Sequence, residues 1–409
     1  MSSRDHSTEL EQPQRWLSEV RLERFKAAFS PPSIPLQPFN VVIGRNGSGK
    51  STLLEALQWI ATAIRRDARE ASERYYGIQD LVNLRARGLK YFQITLTWSS
   101  TIPEEQRVRY TIRVEEQGGT SVIRSEQLSI INESGRVIRP FIRTAAEGDR
   151  IVYASPQPGA PQLHVRDPDR LALVLAWGTQ MAAEHPWLSY LEEFWARAVF
   201  LRLSPNRLAA GSPATRKSFE PLLDEEGQML PALLNELDED QSRSLVVSIQ
   251  DMLQGIEGVT VSKADLGRDT RVNYSLLERM PYQGRAGRRQ FPIPSWMLSE
   301  GTRRITAILA LLARHPAPTL LCIEEIENGL DPWTTIRMLT YLESASDEGV
   351  QLVISTHSPW LLDHVPLQSI IQVRRTDGDT KYERFSEREE IRAFQANIPP
   401  GTRYTSEGH

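Results

Sequence analysis

Residues Gly44-Arg45-Asn46-Gly47-Ser48-Gly49-Lys50-Ser51 follow the spacing G-x-x-x-x-G-K-[ST], and their flanks constrain the fold more than any other feature of the chain. Before them, Phe39-Asn40-Val41-Val42-Ile43 is a short, mostly apolar run of the kind that buried strands carry. After them, Leu53, Leu54, Leu57, Ile60, Ala61 and Ile64 recur three and four residues apart, which predicts a helix with one apolar face ending among Arg65, Arg66 and Asp67. A strand, a glycine-rich turn and a helix in that order form a cradle for phosphate. The glycines let the backbone curl until successive N–H groups point at one place, and the helix adds the positive end of its dipole. On this reading Gly44, Arg45, Asn46, Gly47, Ser48, Gly49, Lys50, Ser51 and Thr52 surround the phosphates of a nucleotide. Lys50 reaches the β- and γ-phosphates, and the Ser51 hydroxyl ligates Mg2+.

The second half of the chain carries a matching pattern. Gly301–Arg314 reads as a helix, Thr319–Ile323 as a buried strand, residues 329–332 as a turn, 333–346 as a helix and Val350–Ser355 as a second buried strand. Helices alternating with short, almost wholly apolar strands predict a parallel sheet covered on both faces. The first of these strands ends in Glu324-Glu325. Alternation sends the two acids to opposite sides, so that one of Glu324 and Glu325 can hold the Mg2+ shell while the other polarises water. Ser299 stands where a helix N-cap is expected, about 20 residues before the acids, and Ser355-Thr356-His357-Ser358-Pro359 closes the second strand.

Elsewhere the signals are plainer. Residues 1–14 read as a disordered tail and Leu17–Phe25 as a strand before a proline-rich loop. Residues 91–98, 108–115 and 121–130 alternate with period two around Gly118-Gly119, an antiparallel meander. Residues 145–165, with Pro156, Pro158 and Pro161, read as loop. Residues 167–295 read as mainly helical, with helices expected at 169–182, 186–197 and 227–256. A hairpin is expected at Ser369–Phe385 and a last helix at Glu387–Ala396. The expected division is a tail (1–14), an N-terminal half of the catalytic head (15–165), a helical insertion (166–290) and a C-terminal half (291–409).

The balance of 48 Lys+Arg against 52 Asp+Glu gives a net charge of −4, which argues against a dedicated polybasic DNA binder. One cysteine, Cys322, excludes an intrachain disulfide and a cysteine-rich zinc site. No apolar run approaches membrane-spanning length and the N-terminus has no signal-peptide pattern, so a cytoplasmic protein without a membrane partner is expected. Three basic clusters are either solvated faces or nucleic-acid contacts: Arg85, Arg87 and Lys90; Arg216 and Lys217; Arg285, Arg288 and Arg289. Trp177, Trp187, Tyr190, Phe194, Trp195 and Phe200 read as the core of the inserted helices, with a partner-binding face as the second reading.

Four stretches, IGRNGSGKSTLLEAL, LSEGTRR, IEEIENGLDP and ISTHSPWLL, together resemble the SMC/RecF/OLD-like branch of ATP-binding-cassette ATPases, in the bacterial group of AAA family predicted ATPases. The resemblance covers roughly 16–130 and 290–375; 131–290 matches only loosely. It implies an α/β P-loop NTPase fold: an ABC-type head with an antiparallel β lobe, a parallel core sheet and a mostly helical insertion. It also implies ATP and Mg2+ as cofactors and a homodimer, or a higher oligomer, that closes on ATP. Ser299 and Gly301 would then touch the nucleotide held by the other subunit, Glu325 would orient the attacking water and His357 would contact the γ-phosphate, with Lys50 beside it. DNA is the implied partner, in repair or anti-phage defence. The alternative is an ATPase scaffold for a separate nuclease or toxin effector, expected as another chain because no Toprim or HNH pattern is present. A transporter subunit is disfavoured by the signature and the long insert. Glu324 stands where the wider superfamily has Asp, Ile326 where proline is common and Asp331 where His is common. Gln79 and Gln127 are the candidates for the Q-loop glutamine.

Overall fold

The computed structural model describes residues 15–86, 88, 90–101, 106–147, 150–153, 164–165, 168–177, 185–217, 220–266, 269–280, 289–388 and 398–406. The expected tail lies outside them. Two sheets and one buried helix organise the rest.

The first sheet is antiparallel, in the order β2 (Ile34–Pro35), β1 (Arg15–Glu23), β4 (Tyr91–Ser100), β5 (Arg107–Gln117), β6 (Thr120–Ile131), β7 (Val137–Glu147), β8 (Arg150–Tyr153) and β9 (His164–Val165). The second has the order β10 (Val199–Leu201), β15 (Leu320–Ile323), β16 (Gln351–Thr356), β3 (Phe39–Gly44), β17 (Ile370–Thr376) and β18 (Asp379–Arg384). It is parallel from β10 to β17, with β18 antiparallel at the edge. A third, smaller sheet joins β11 (Ser212–Pro213), β13 (Asp269–Arg279) and β12 (Ile256–Leu266), with β14 (Gln290–Pro294) on β13.

The central strands are buried on both faces, which is why they read as apolar runs rather than as alternation. Val42, Leu320, Cys322 and Val353 face the core that the parallel sheet shares with the antiparallel one. Their neighbours Val41, Ile43, Leu321, Ile323, Leu352 and Ile354 face the opposite core, under the helices Leu230–Glu236, Glu239–Met252, Glu300–Ala313 and Pro332–Asp347. The helix Lys50–Arg65 lies within the first core, with Leu53, Leu57, Trp59 and Ile60 fully buried. Trp59 stands edge-on to Phe92 of β4 at 5.1 Å and donates its indole N–H to the Ser72 hydroxyl.

The aromatic stretch is core, as its first reading had it. Phe194 and Trp195, on the helix Pro186–Ala196, pack edge-on against Trp98 of β4. Other expectations change. Within 145–165, the end of β7, β8 and β9 stand where loop was expected and add an edge to the meander, while residues 148–149 and 154–163 lie outside the described residues. The expected helix at 227–256 is two helices broken at Leu237-Asp238, where the Asp238 carboxylate caps the second by accepting the Gln241 N–H. The mainly helical reading of 167–295 fails beyond Ile256: β12, β13 and β14 form an antiparallel unit there. The expected helix at 169–182 is described only as Ala172–Trp177. Of the expected terminal helix at Glu387–Ala396, residues 389–396 lie outside the described residues. A helix at Pro400–Ser406 was not anticipated.

Candidate nucleotide site

Because β3, β15 and β16 run parallel, their C-terminal ends open at one edge. The register pairs Thr356 with Ile43 and Ile323 with Ile354. The turn after β3, the acids after β15 and the His357 loop after β16 therefore meet there, around a cavity of about 370 Å³. Asn46, Gly47, Gly49, Lys50, Ser51, Thr52, Glu324, Glu325, Ser355 and His357 line it, with Ala27 from the first lobe.

The turn needs its glycines. Gly47 and Gly49 sit at φ +75° and +109°, in the region side chains avoid. A Cβ on Gly49 would stand 2.6 Å from the Thr380 hydroxyl oxygen. The Lys50 ammonium curls over the turn, donating to the carbonyls of Gly44 (2.7 Å) and Arg45 (3.2 Å). Burial lowers its pKa, while Glu325, Glu327 and Glu324 pull the other way. Gly44 and Ser48 form the inner wall of the turn, since a Cβ on Gly44 would meet the Ser48 hydroxyl oxygen. Arg45 faces a different cleft, outside the turn.

The two acids are held differently. The Glu324 carboxylate accepts the Ser51 hydroxyl, and burial pushes its pKa above the ordinary value against the opposing Arg202 charge. Glu325 has φ +51°, which costs a residue with a Cβ on the order of 1 kcal/mol. Its surroundings impose that conformation. Its N–H donates to the Ser355 hydroxyl (3.1 Å) and its carbonyl accepts the buried Arg304 guanidinium (3.1 Å). Its carboxylate accepts from the Asn328 amide (2.5 Å) and lies 3.2 Å from His357 Nε2. The His357 N–H in turn donates to Glu327. A residue pinned at both backbone polar groups, with its carboxylate held at two points across the cavity from Lys50, is suited to orienting a water.

Ser51 and Glu324 offer hard oxygen donors, and among the described residues no group of three or more His, Cys, Asp or Glu could cage a metal ion. That donor set fits Mg2+, which takes few protein ligands and completes its shell with phosphate oxygens and water.

Ser299 and Gly301 do not line this cavity. Ser299 caps the helix Glu300–Ala313, its hydroxyl accepting the Thr302 N–H, and Gly301 packs so closely on the Gly329 carbonyl that a Cβ there would lie 2.4 Å from it. Neither Q-loop candidate reaches the cavity: Gln79 donates to the Tyr76 carbonyl, and Gln127 lies within β6. Arg202, which follows β10 and lies 3.6 Å from Glu324, is the polar group beside the acids that sequence reasoning missed. Its signal was the apolar triplet Val199–Leu201 ahead of it, a buried strand too short to stand out by periodicity.

A three-layer α/β head with its phosphate turn, paired acids and histidine at one edge of a parallel sheet defines a P-loop ATPase of the ABC type. Solved structures agree on the fold. An SMC head bound to the C-winged helix domain of ScpA aligns over 90% of this chain and 97% of its own, at TM-score 0.53 and 17% identity. An SMC head from Pyrococcus furiosus, with an extended coiled coil and bound to the C-terminal domain of ScpA, aligns over 93% and 99%, at TM-score 0.51 and 15% identity. The energy-coupling factor transporter ATP-binding protein EcfA of Methanococcus maripaludis is 28% identical over 111 residues, which cover 26% of this chain and 38% of that relative's length. The chain belongs to the family described as "AAA domain, putative AbiEii toxin, Type IV TA system", whose profile matches residues 39–176 and 182–363. No described helix is long and apolar enough to cross a membrane.

Proposed function

We propose that the protein binds ATP with Mg2+, closes into a head-to-tail dimer around two nucleotides, hydrolyses them and reopens, and that this cycle acts as a switch in a DNA-associated process. The observation that carries the reading is the clamped Glu325 facing Lys50 across a phosphate-sized cavity at the end of the turn. Lys50 and the turn's N–H groups hold the phosphates, and Ser51 and Glu324 would hold the metal, which would supply charge neutralisation for the leaving phosphates. Glu325 takes the proton of the attacking water, and His357 steadies that carboxylate and the terminal phosphate.

Dimerisation is supported by what the cavity lacks in one chain. Ser299 and Gly301 stand outside it, beside an exposed apolar set: Trp296 (60% exposed), Met297 (71%) and, just beyond the Gly329 turn, Trp333 (77%). A second copy would bring Ser299 to the open side of the nucleotide and cover those side chains. The DNA reading is supported by a cleft of about 650 Å³ on the outer side of the phosphate turn, lined by Arg45, Arg374, Arg375 and Tyr404 and, among the described residues, by no carboxylate. The earlier basic candidates are weaker. Arg216 donates to the Glu220 carbonyl and pairs with Glu236, Lys90 pairs with Glu116, and Arg85 lies over Phe29. Arg87, Arg285 and Arg288 lie outside the described residues.

The test is ATP hydrolysis by purified protein with and without linear double-stranded DNA, with Lys50→Ala and Glu325→Gln as controls. Stimulation by DNA, lost in both variants, is expected. Hydrolysis indifferent to DNA would replace the DNA reading with the effector-scaffold one, and hydrolysis unchanged in both variants would sink the site assignment.

A further inference from the structure

The strand register makes Arg202 and Glu324 a built pair rather than a surface coincidence. Leu201 pairs with Ile323, so the next residues out of the sheet are Arg202 and Glu324, and the Glu324 N–H is fixed to the Leu201 carbonyl at 2.8 Å. The Arg202 backbone is pinned as well, its N–H donating to the Glu225 carbonyl at 2.9 Å, while the Glu225 carboxylate pairs with Arg74 of the first lobe. The two side chains differ: Glu324 is 17% exposed and Arg202 is 73% exposed. The carboxylate is therefore held in place, whereas the guanidinium borders an open cavity of about 880 Å³ into which it can turn. Glu324 also sits among other acids, Glu55 and Glu325, whose fields disfavour its charge. A lone carboxylate there, with the Ser51 hydroxyl beside it, would attract any divalent cation before nucleotide arrived.

We propose that Arg202 is a positioning residue that competes with the divalent cation for Glu324, so that metal is taken up together with nucleotide rather than ahead of it. The inference rests on the assignment of Ser51 and Glu324 to the metal. An arginine suits the task, because its charge is permanent, its grip on a carboxylate is directional, and at this exposure the pair is weak enough to break. Since Arg202 hangs on the segment that Arg74 ties to the first lobe, the metal affinity of the site depends on how that segment is seated.

The experiment follows a trace fluorescent ATP analogue binding to protein in excess, from metal-free buffer through rising Mn2+, and reads the Mn2+ concentration at half of the metal-induced change. Wild type, Arg202→Ala, Arg202→Lys and Glu324→Gln are compared, with thermal melts to establish that each is folded. Arg202→Ala is expected to lower the Mn2+ midpoint about two- to fivefold, the scale of one partly exposed charge pair, with metal-free nucleotide affinity unchanged. Arg202→Lys should stay close to wild type. An unchanged or raised midpoint in Arg202→Ala, with Glu324→Gln raising it, overturns this inference and leaves the metal assignment standing. A Glu324→Gln midpoint equal to wild type overturns both.

Discussion

Single side chains carry the chemistry, and three of them give separate predictions. Lys50 is the only lysine or arginine among the described residues lining the cavity, so Lys50→Ala should reduce ATP affinity and leave hydrolysis roughly a hundredfold or more below wild type, read by phosphate release. Glu325→Gln keeps an acceptor oxygen for Asn328 but removes the proposed base. Hydrolysis should fall about 100- to 10,000-fold while equilibrium binding of ATP persists, which separates proton transfer from affinity. The third residue is remote from the site. Glu126 is fully buried and accepts the N–H groups of Ala172 (2.6 Å) and Leu173 (2.8 Å) and the Tyr110 hydroxyl (2.8 Å). Burial nevertheless raises its pKa from 4.5 to about 7. Between those values the unfolded chain has released a proton that the folded one still holds, so stability falls as pH rises through that window and levels off above it. The drop is about 3 kcal/mol, from the 1.36 kcal/mol that each unit represents. Urea denaturation at pH 5, 6, 7 and 8 should show it, and Glu126→Gln should flatten it.

At the scale of elements, the helix Glu300–Ala313 separates structure from assembly. Ser299→Ala removes the cap on Thr302 and should cost about 1 kcal/mol in denaturant unfolding without altering nucleotide affinity of the single chain, because Ser299 lies off its cavity. A larger loss of affinity in the monomer would contradict the two-chain reading of this helix. Elements were legible where burial is two-sided or the period is strong. Phe39–Gly44, Leu320–Ile323 and Lys50–Arg65 announce themselves because nearly every position, or one whole face, must be apolar. β12 was illegible for the opposite reason. Its stretch Val259-Thr260-Val261-Ser262-Lys263 presents a half-solvated face, and it follows the expected helix at 227–256 inside a segment read as mainly helical. β8 was hidden by the prolines that follow it in sequence, Pro156, Pro158 and Pro161, which favour a loop reading of the whole stretch and lie outside the described residues. The site shows the same division. Residues in local motifs were readable, whereas Arg202 reaches Glu324 through strand pairing across more than a hundred positions, which no local pattern encodes.

For the whole molecule, the open cavity and the exposed Trp296, Met297 and Trp333 make assembly the expected response to nucleotide. Light scattering of Glu325→Gln should give a monomer mass without nucleotide and a dimer mass with ATP and Mg2+, and Ser299→Arg in that background should abolish the dimer. A monomer under both conditions would end the head-to-tail proposal. The buried helix Lys50–Arg65 then has a consequence for how such an assembly could feel its fuel. Sixteen residues make a rod of about 24 Å, gripped along its length by both sheets, so it cannot bend to absorb a displacement at its phosphate end. At its far end Arg65 grips the carbonyls of Trp195 and Ala198, immediately before β10, and β10 leads straight back to Arg202 beside Glu324. Push and response thus run around a closed mechanical circuit, out along the helix and home along the strand. A displacement at the Arg65 anchor would reach both the phosphate turn and Arg202, so a partner bearing on that anchor is expected to change hydrolysis without approaching the nucleotide.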